Sequence, residues 1–308
     1  MLFDVFHANE INSFQIGIPN YDDSFKAVEV KYPDNYTFAF NFDIWSNLQI
    51  KEKILLFYWW FKDECKKQNI INCDFCFIGY KNSAEKFVSF GAYLNGPYHS
   101  FVRINPKFIN HPSYILLSTI SHELNHCSFK SKEYDDYLRK IFSKIKCYWS
   151  PDKSDDYFYQ IYSYLIYFFQ PIEFEAHKYG FDAALKLFNE ITQNKIVNFN
   201  DTKAIQYIKR KRMDQRILKN IIFQDDFNDH LDLIYLQFAF ELDAEKIKNN
   251  DKLTQADKNE QLKKIDKDIQ GTEVLIQNDL LKFRKRFLDY INSNKVYDIK
   301  KEMELDFD

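Results

Sequence analysis

Glycine and proline are scarce in this chain, 6 and 7 among 308. So few breakers argue against a turn-rich all-β fold or a long low-complexity linker, and favour long helices. An excess of charge of one sign is lacking too. With 42 Lys+Arg against 45 Asp+Glu, the net charge is -3 and the pI is near 6.2. No global field therefore draws the chain to nucleic acid or to an acidic membrane. No apolar run approaches the ~20 residues that span a bilayer. The longest are Ile54 to Phe61 and Tyr157 to Phe169, and the second is full of tyrosine. The opening MLFDVFHANE has no basic segment followed by an apolar stretch, the mark of a secretory signal. Cysteine is sparse and odd in number: Cys65, Cys73, Cys76, Cys127 and Cys147. Cys73 and Cys76 form a C-x-x-C with no second pair at ribbon spacing, inside a segment that reads as a strand. Buried small hydrophobes are expected there rather than a metal or redox pair. Reduced thiols and no membrane partner fit a soluble, cytoplasmic protein.

What the chain does have is aromatic bulk, 31 Phe and 21 Tyr, enough for a core of large rings. Its length can hold one large domain or two modest ones. Residues 36–42 (YTFAFNF) alternate as a half-buried strand would, and 47–68 carry the apolar stripe of a helix. Strand-like runs follow at 73–80, 86–94 and 98–105. The last two are joined by Leu94-Asn95-Gly96-Pro97, a hairpin signal. A helix should begin near His111-Pro112, since proline is tolerated in a first turn. Beyond it the pattern is helical at 132–147, 155–169, 171–192, 202–222, 228–248 and 255–293. The polar stretch Lys246 to Lys267 reads as an exposed helical hairpin, and Gly271 as a break or a close contact.

The most informative segment is His122-Glu123-Leu124-Asn125-His126, an H-E-x-x-H inside an apolar helical run. Chance would give this pattern in roughly one such sequence in a hundred. Histidines four apart share a helix face, so two imidazoles can converge on one metal ion. The intervening glutamate flanks that face, within reach of a water. Zinc hydrolysis needs those parts: neutral imidazole ligands, an open coordination position and a carboxylate base.

Two histidines do not make a zinc site, and Gln170-Pro171-Ile172-Glu173-Phe174-Glu175-Ala176-His177-Lys178-Tyr179-Gly180 best supplies a third ligand. On a helix starting at Gln170-Pro171, residues Glu173, Ala176, His177, Gly180 and Ala184 fall on one stripe. Its small residues would allow close approach to the H-E-x-x-H helix. Glu173 is favoured over its rival Glu175, which lies about 200° away around the helix. His7, His99, His111 and His230 sit in no ligand spacing and are expected at the surface or as satisfied core residues. His99, on the hairpin, could meet a substrate. Lys209-Arg210-Lys211-Arg212 reads as a solvated helix face, with nucleic-acid contact as the alternative. The stripe of Tyr159, Tyr162, Leu165, Ile166 and Phe169 reads as core, although a tyrosine there could stabilise an oxyanion.

HELNH followed by EFEAH is similar to the gluzincin metallopeptidases, in which H-E-x-x-H gives two ligands and a downstream glutamate the third. The EFEA stretch looks like the E-F-x-A-D signature of the CAAX prenyl proteases. QPIEFEAHKYG resembles small soluble zincin-like proteins of bacteria and their phages. The resemblance covers about residues 85–190. It implies Zn²⁺ held by His122, His126 and Glu173, and Glu123 as general base for a metal-activated water. Where the signature has an aspartate orienting a metal-binding histidine, this chain has His177, which implies a supporting role for that ring through a nitrogen acceptor or a water.

The fold expected is α+β and mostly α. A zincin-like core over residues 1–195 would pack a small antiparallel or mixed sheet on the H-E-x-x-H helix, and a helical region would follow over 196–308. In that layout an edge strand holds extended peptide by strand addition. The function expected is zinc-dependent hydrolysis of peptide bonds, with a protein or peptide as partner and no nucleic acid or membrane. The rival expectation is a non-catalytic zincin fold serving as a structural or interaction part, for example in a phage particle.

Overall fold

The computed structural model describes residues 36–71, 73–77, 91–95, 100–105, 108–129, 157–193 and 198–293. His7, His99 and the helix expected at 132–147 lie outside them. The described chain is mostly helical with one small sheet. It divides into two compact units.

The first unit takes in the described residues up to Phe129 together with Pro171 to Arg210. A 3-10 helix, Tyr36–Phe40, leads into α1 (Phe42–Trp45) and α2 (Ile50–Lys67). The strand expected at 36–42 is therefore a helical turn. Tyr36 and Phe40 are buried while Phe38 is exposed, so the three aromatics do not share one face as strand alternation requires. The Asn41 side chain then accepts from Ile44 N and starts α1. The carboxylate of Asp201 also accepts from Phe42 N, at 3.1 and 3.0 Å. α2 ends with Asn69 in the left-handed region (φ 55) and Ile70 N bonded to Cys65 O, a Schellman-type stop in which asparagine replaces glycine.

β1 (Cys73–Phe77), β2 (Gly91–Asn95) and β3 (Ser100–Ile104) form a sheet of order β1-β3-β2. β1 runs parallel to β3, with Phe75 opposite Val102, and β2 runs antiparallel to it, with Tyr93 opposite Val102. The sheet is mixed, so the wholly antiparallel form is excluded. β3 buries Ser100, Val102 and Ile104 and half-exposes Phe101 and Arg103, the alternation of a strand with one face on a core. α3 (Ser113–Phe129) lies against this sheet. Gly91 permits the contact, because a Cβ there would meet Arg103 O and Thr119 Cγ2 at 2.8 Å each.

α3 packs chiefly on α5 (Pro171–Thr192). α5 buries Glu173, Ala176, Gly180, Ala184, Leu187 and Ile191, a stripe at three- and four-residue steps. The aromatic core of the unit forms around Trp45, whose ring lies 5.9 Å from Phe40 and 4.9 Å from Phe57. Two indoles tie elements together through their N–H groups: Trp45 donates to His111 O and Trp60 to Ser121 Oγ, at 3.0 and 3.1 Å.

The second unit holds α4 (Tyr157–Phe168), the part of α6 (Phe199–Leu218) beyond Arg210, a π-helical turn (Lys219–Phe223), α7 (Asp226–Lys248) and α8 (Gln255–Asn292). Its core joins Tyr162 and Leu165 of α4, Phe227, Ile234 and Phe238 of α7, and Ile276, Phe283 and Phe287 of α8. The cut expected at 195–196 does not coincide with this division. α4 clusters with the carboxy-terminal helices, because its apolar stripe joins their aromatic core. α7 and α8 form the expected helical hairpin, turning over Asn249 to Thr254, where Thr254 caps α8 by accepting from Asp257 N. Gly271 does not break α8, and among the described residues nothing lies within 4 Å of where its Cβ would be. Among the described residues no helix is long and apolar enough to cross a membrane.

Candidate metal centre

α3 carries His122, Glu123 and His126, and α5 carries Glu173 and His177. Gly180 brings the two helices together at this level. A Cβ on it would overlap the Ser118 carbonyl oxygen and lie 3.1 Å from both N and Cβ of His122. The α5 backbone therefore runs directly against the α3 backbone beside the first histidine. Residues one and two turns earlier on α5, His177 and Glu173, face the histidines of α3.

The resulting cluster is tight. His122 Nε2 and His126 Nε2 are 3.1 Å apart, and Glu173 Oε2 lies 3.5 Å from the first and 3.4 Å from the second. All three residues are withdrawn from solvent, with relative exposures of 7%, 8% and 2%. Glu175 is exposed, so of the two candidate glutamates only Glu173 enters the cluster. Glu123 Oε1 is 3.9 Å from His122 Nε2. The His177 ring is half-buried, and its centroid lies 4.2 Å from that of His122 at an interplanar angle of 53°.

Two imidazole nitrogens and a carboxylate oxygen are the donor set zinc favours. Metal–ligand distances of about 2.0–2.1 Å in a tetrahedron place neighbouring donors about 3.3 Å apart. The three separations here, 3.1, 3.4 and 3.5 Å, scatter around that edge length. The residues thus fit one small ion held by three donors, with a fourth side left for something else. Without an ion, the same atoms can close a hydrogen-bonded cluster, with one ring donating from Nε2 to the other ring or to Glu173.

The surroundings hold features with no sequence signal. Glu64 of α2, 1% exposed, accepts from Tyr179 OH at 3.0 Å and from Lys67 Nζ at 2.7 Å. This carboxylate pins α2 to α5 two residues beyond His177. Burial pushes the Tyr179 hydroxyl well above the ordinary tyrosine range, with the Glu64 charge adding to the effect, so the phenol stays a donor. Asn125, on α3 between the two histidines, is buried, and its Oδ1 has no hydrogen-bond partner among the described residues.

The remaining residues singled out by sequence lie elsewhere. Cys65, Cys73 and Cys127 are buried thiols. Burial pushes Cys65 up to about 12, and a hydrogen bond with Cys127 together with burial raises Cys73, so none of this is a reactive thiolate environment. Lys209 and Arg210 are exposed on α6. Tyr162 and His230 are both wholly buried in the second unit. Tyr162 OH lies 2.5 Å from His230 Nε2, and His230 Nδ1 lies 3.3 Å from Asp279 Oδ2. His230 is thus a satisfied core histidine, and the Tyr162 hydroxyl is committed to it rather than to an oxyanion. No family model, curated protein or solved structure matched the chain.

Proposed function

We propose that the chain is a zinc-dependent peptidase of the zincin type, with His122, His126 and Glu173 as metal ligands and Glu123 as general base. The observation that carries this reading is the buried triangle of His122 Nε2, His126 Nε2 and Glu173 Oε2, with edges of 3.1 to 3.5 Å and Glu123 alongside. Zinc, when bound, supplies a Lewis acid and lowers the pKa of a water toward ~7. The chain's own residues do the rest. The two rings would bind as neutral imidazoles, and Glu173 would offset part of the ion's charge at three donors withdrawn from solvent. Glu123 is less buried than the three ligands. It can accept the proton of the attacking water and return it to the departing amine. β2 lies at one margin of the described sheet, a position suited to an extended peptide added as a further strand.

The test is a Glu123→Gln variant, loaded with zinc alongside the wild type. Each is incubated with a degenerate peptide library, with cleavage read by mass spectrometry. The amide keeps size and polarity but takes no proton, so cleavage should fall by about 10²- to 10⁴-fold with zinc content unchanged. Equal rates for the two proteins would overturn the assignment of the base. A second reading, a metal-holding but non-catalytic zincin fold, is favoured by the histidine ring at position 177 so close to the donors. Stoichiometric zinc with no cleavage of any peptide in the library would select it.

A further inference from the structure

We infer that His177 is a fourth metal ligand, closing the coordination sphere of the His122, His126 and Glu173 centre in the resting protein; this rests on the metal reading above. A donor atom of His177 lies within 4.8 Å of donor atoms of both His122 and Glu173. α3 presents His122 and His126, and α5 presents Glu173 and His177, so each of two packed helices offers a pair of donors one turn apart. Two such pairs facing each other can surround one ion tetrahedrally, and four protein donors are what closed zinc sites have, where hydrolytic sites keep three.

The backbone leaves His177 little choice of neighbour. Gly180 seats α5 against N and Cβ of His122, so a side chain three residues earlier on the same stripe meets that ring, as the 4.2 Å centroid separation records. To complete a tetrahedron, its nitrogen has to close to a donor separation of about 3.3 Å. A side-chain rotation of this half-buried ring would have to supply that movement. The same half-exposure gives the ring somewhere to go. The open position that hydrolysis requires is then occupied at rest and is freed when His177 swings toward solvent. The site is latent, and a substrate carbonyl has to compete with an imidazole to enter it.

Cobalt(II) titrated into the purified full-length chain tests this, with its visible absorption reporting coordination and azide probing for an open position. Wild type should take up one cobalt per chain, with the intense bands of a four-coordinate ion that azide leaves unmoved. His177→Ala should bind cobalt at least about tenfold more weakly, and its bands should shift on adding azide. His177→Asp supplies oxygen in place of nitrogen and should give a third spectrum; if the ring only positioned a ligand, aspartate would restore the wild-type bands. Wild-type bands that move with azide, or a His177→Ala spectrum identical to wild type, overturn the inference while leaving a three-ligand centre standing. No cobalt uptake by wild type is a different result and overturns both readings.

Discussion

Gly180→Ala asks whether the close approach of α5 to α3 builds the centre. On helix propensity alone, alanine in place of an interior glycine stabilises by about 1 kcal/mol. The added methyl, however, would overlap the Ser118 carbonyl oxygen and stand 3.1 Å from N and Cβ of His122. These are backbone and near-backbone atoms of a packed helix, with no flexible end to swing aside. Relief requires α5 to back away from α3, and overpacking of this kind typically costs about 1–3 kcal/mol, more when backbone has to move. Steric cost therefore offsets or exceeds propensity, and the expected net effect is a loss of up to about 2 kcal/mol. Displacing α5 also carries Glu173 away from the two Nε2 atoms, so zinc affinity should fall at least about tenfold. Urea unfolding followed by the fluorescence of Trp45, Trp59 and Trp60, which lie in this unit, reads the first effect, and competition with a chelator reads the second. Gly271→Ala is the control. Among the described residues its Cβ would meet nothing within 4 Å, in an exposed stretch of α8, so it should gain about 0.5–1 kcal/mol. If Gly180→Ala is stabilised as Gly271→Ala is, with zinc affinity unchanged, the close-packing argument is wrong.

Zinc content should drop strongly in His122→Ala, His126→Ala and Glu173→Ala and stay whole in Glu175→Ala, whose side chain points to solvent; metal analysis showing the two glutamates reversed would overturn the ligand choice. Burial raises Asp201 from 3.8 to about 6, against the opposing hydrogen bond from Phe42 N. The folded state thus holds this proton more tightly than the unfolded one. The associated stability is present below pH ~4 and lost as pH rises through ~6, about 3 kcal/mol as an upper bound. Asp201→Asn should flatten the pH dependence of urea unfolding in that window, and an unchanged slope would contradict it. Tyr162→Phe removes the partner 2.5 Å from His230 Nε2 and leaves that nitrogen buried in an aromatic core, so it should cost about 1–3 kcal/mol; a change below about 0.5 kcal/mol would show that the contact contributes little.

The parts legible in the sequence are those written in local spacing. The four-residue step from His122 to His126, and the three- and four-residue steps from Glu173 through Ala176 to Gly180 and Ala184, define helix faces by geometry alone, and α5 runs over the very residues, Pro171–Thr192, that its stripe and its proline mark out. The same logic fails where a short pattern suits two periods. Tyr36, Phe38 and Phe40 alternate like a strand, yet the segment winds as a 3-10 helix with Phe38 exposed, closed where Asn41 N and Nδ2 both donate to Phe38 O. Partners far apart in the chain leave no local trace. Glu64 bonded to Tyr179 bridges 115 positions and Tyr162 bonded to His230 bridges 68, and neither pair differs in sequence from an ordinary surface glutamate or core tyrosine. Membership of α4 in the second unit is of the same kind, because an apolar stripe states that a helix will be buried and not against which neighbour. Position 177 lies between these cases. Its spacing from Glu173 puts a histidine on the right face. Whether that ring supports a ligand or is one depends on how near α5 comes to α3. That distance is set by a missing methyl at Gly180, so the least chemical residue of the stripe decides the chemistry of its neighbours.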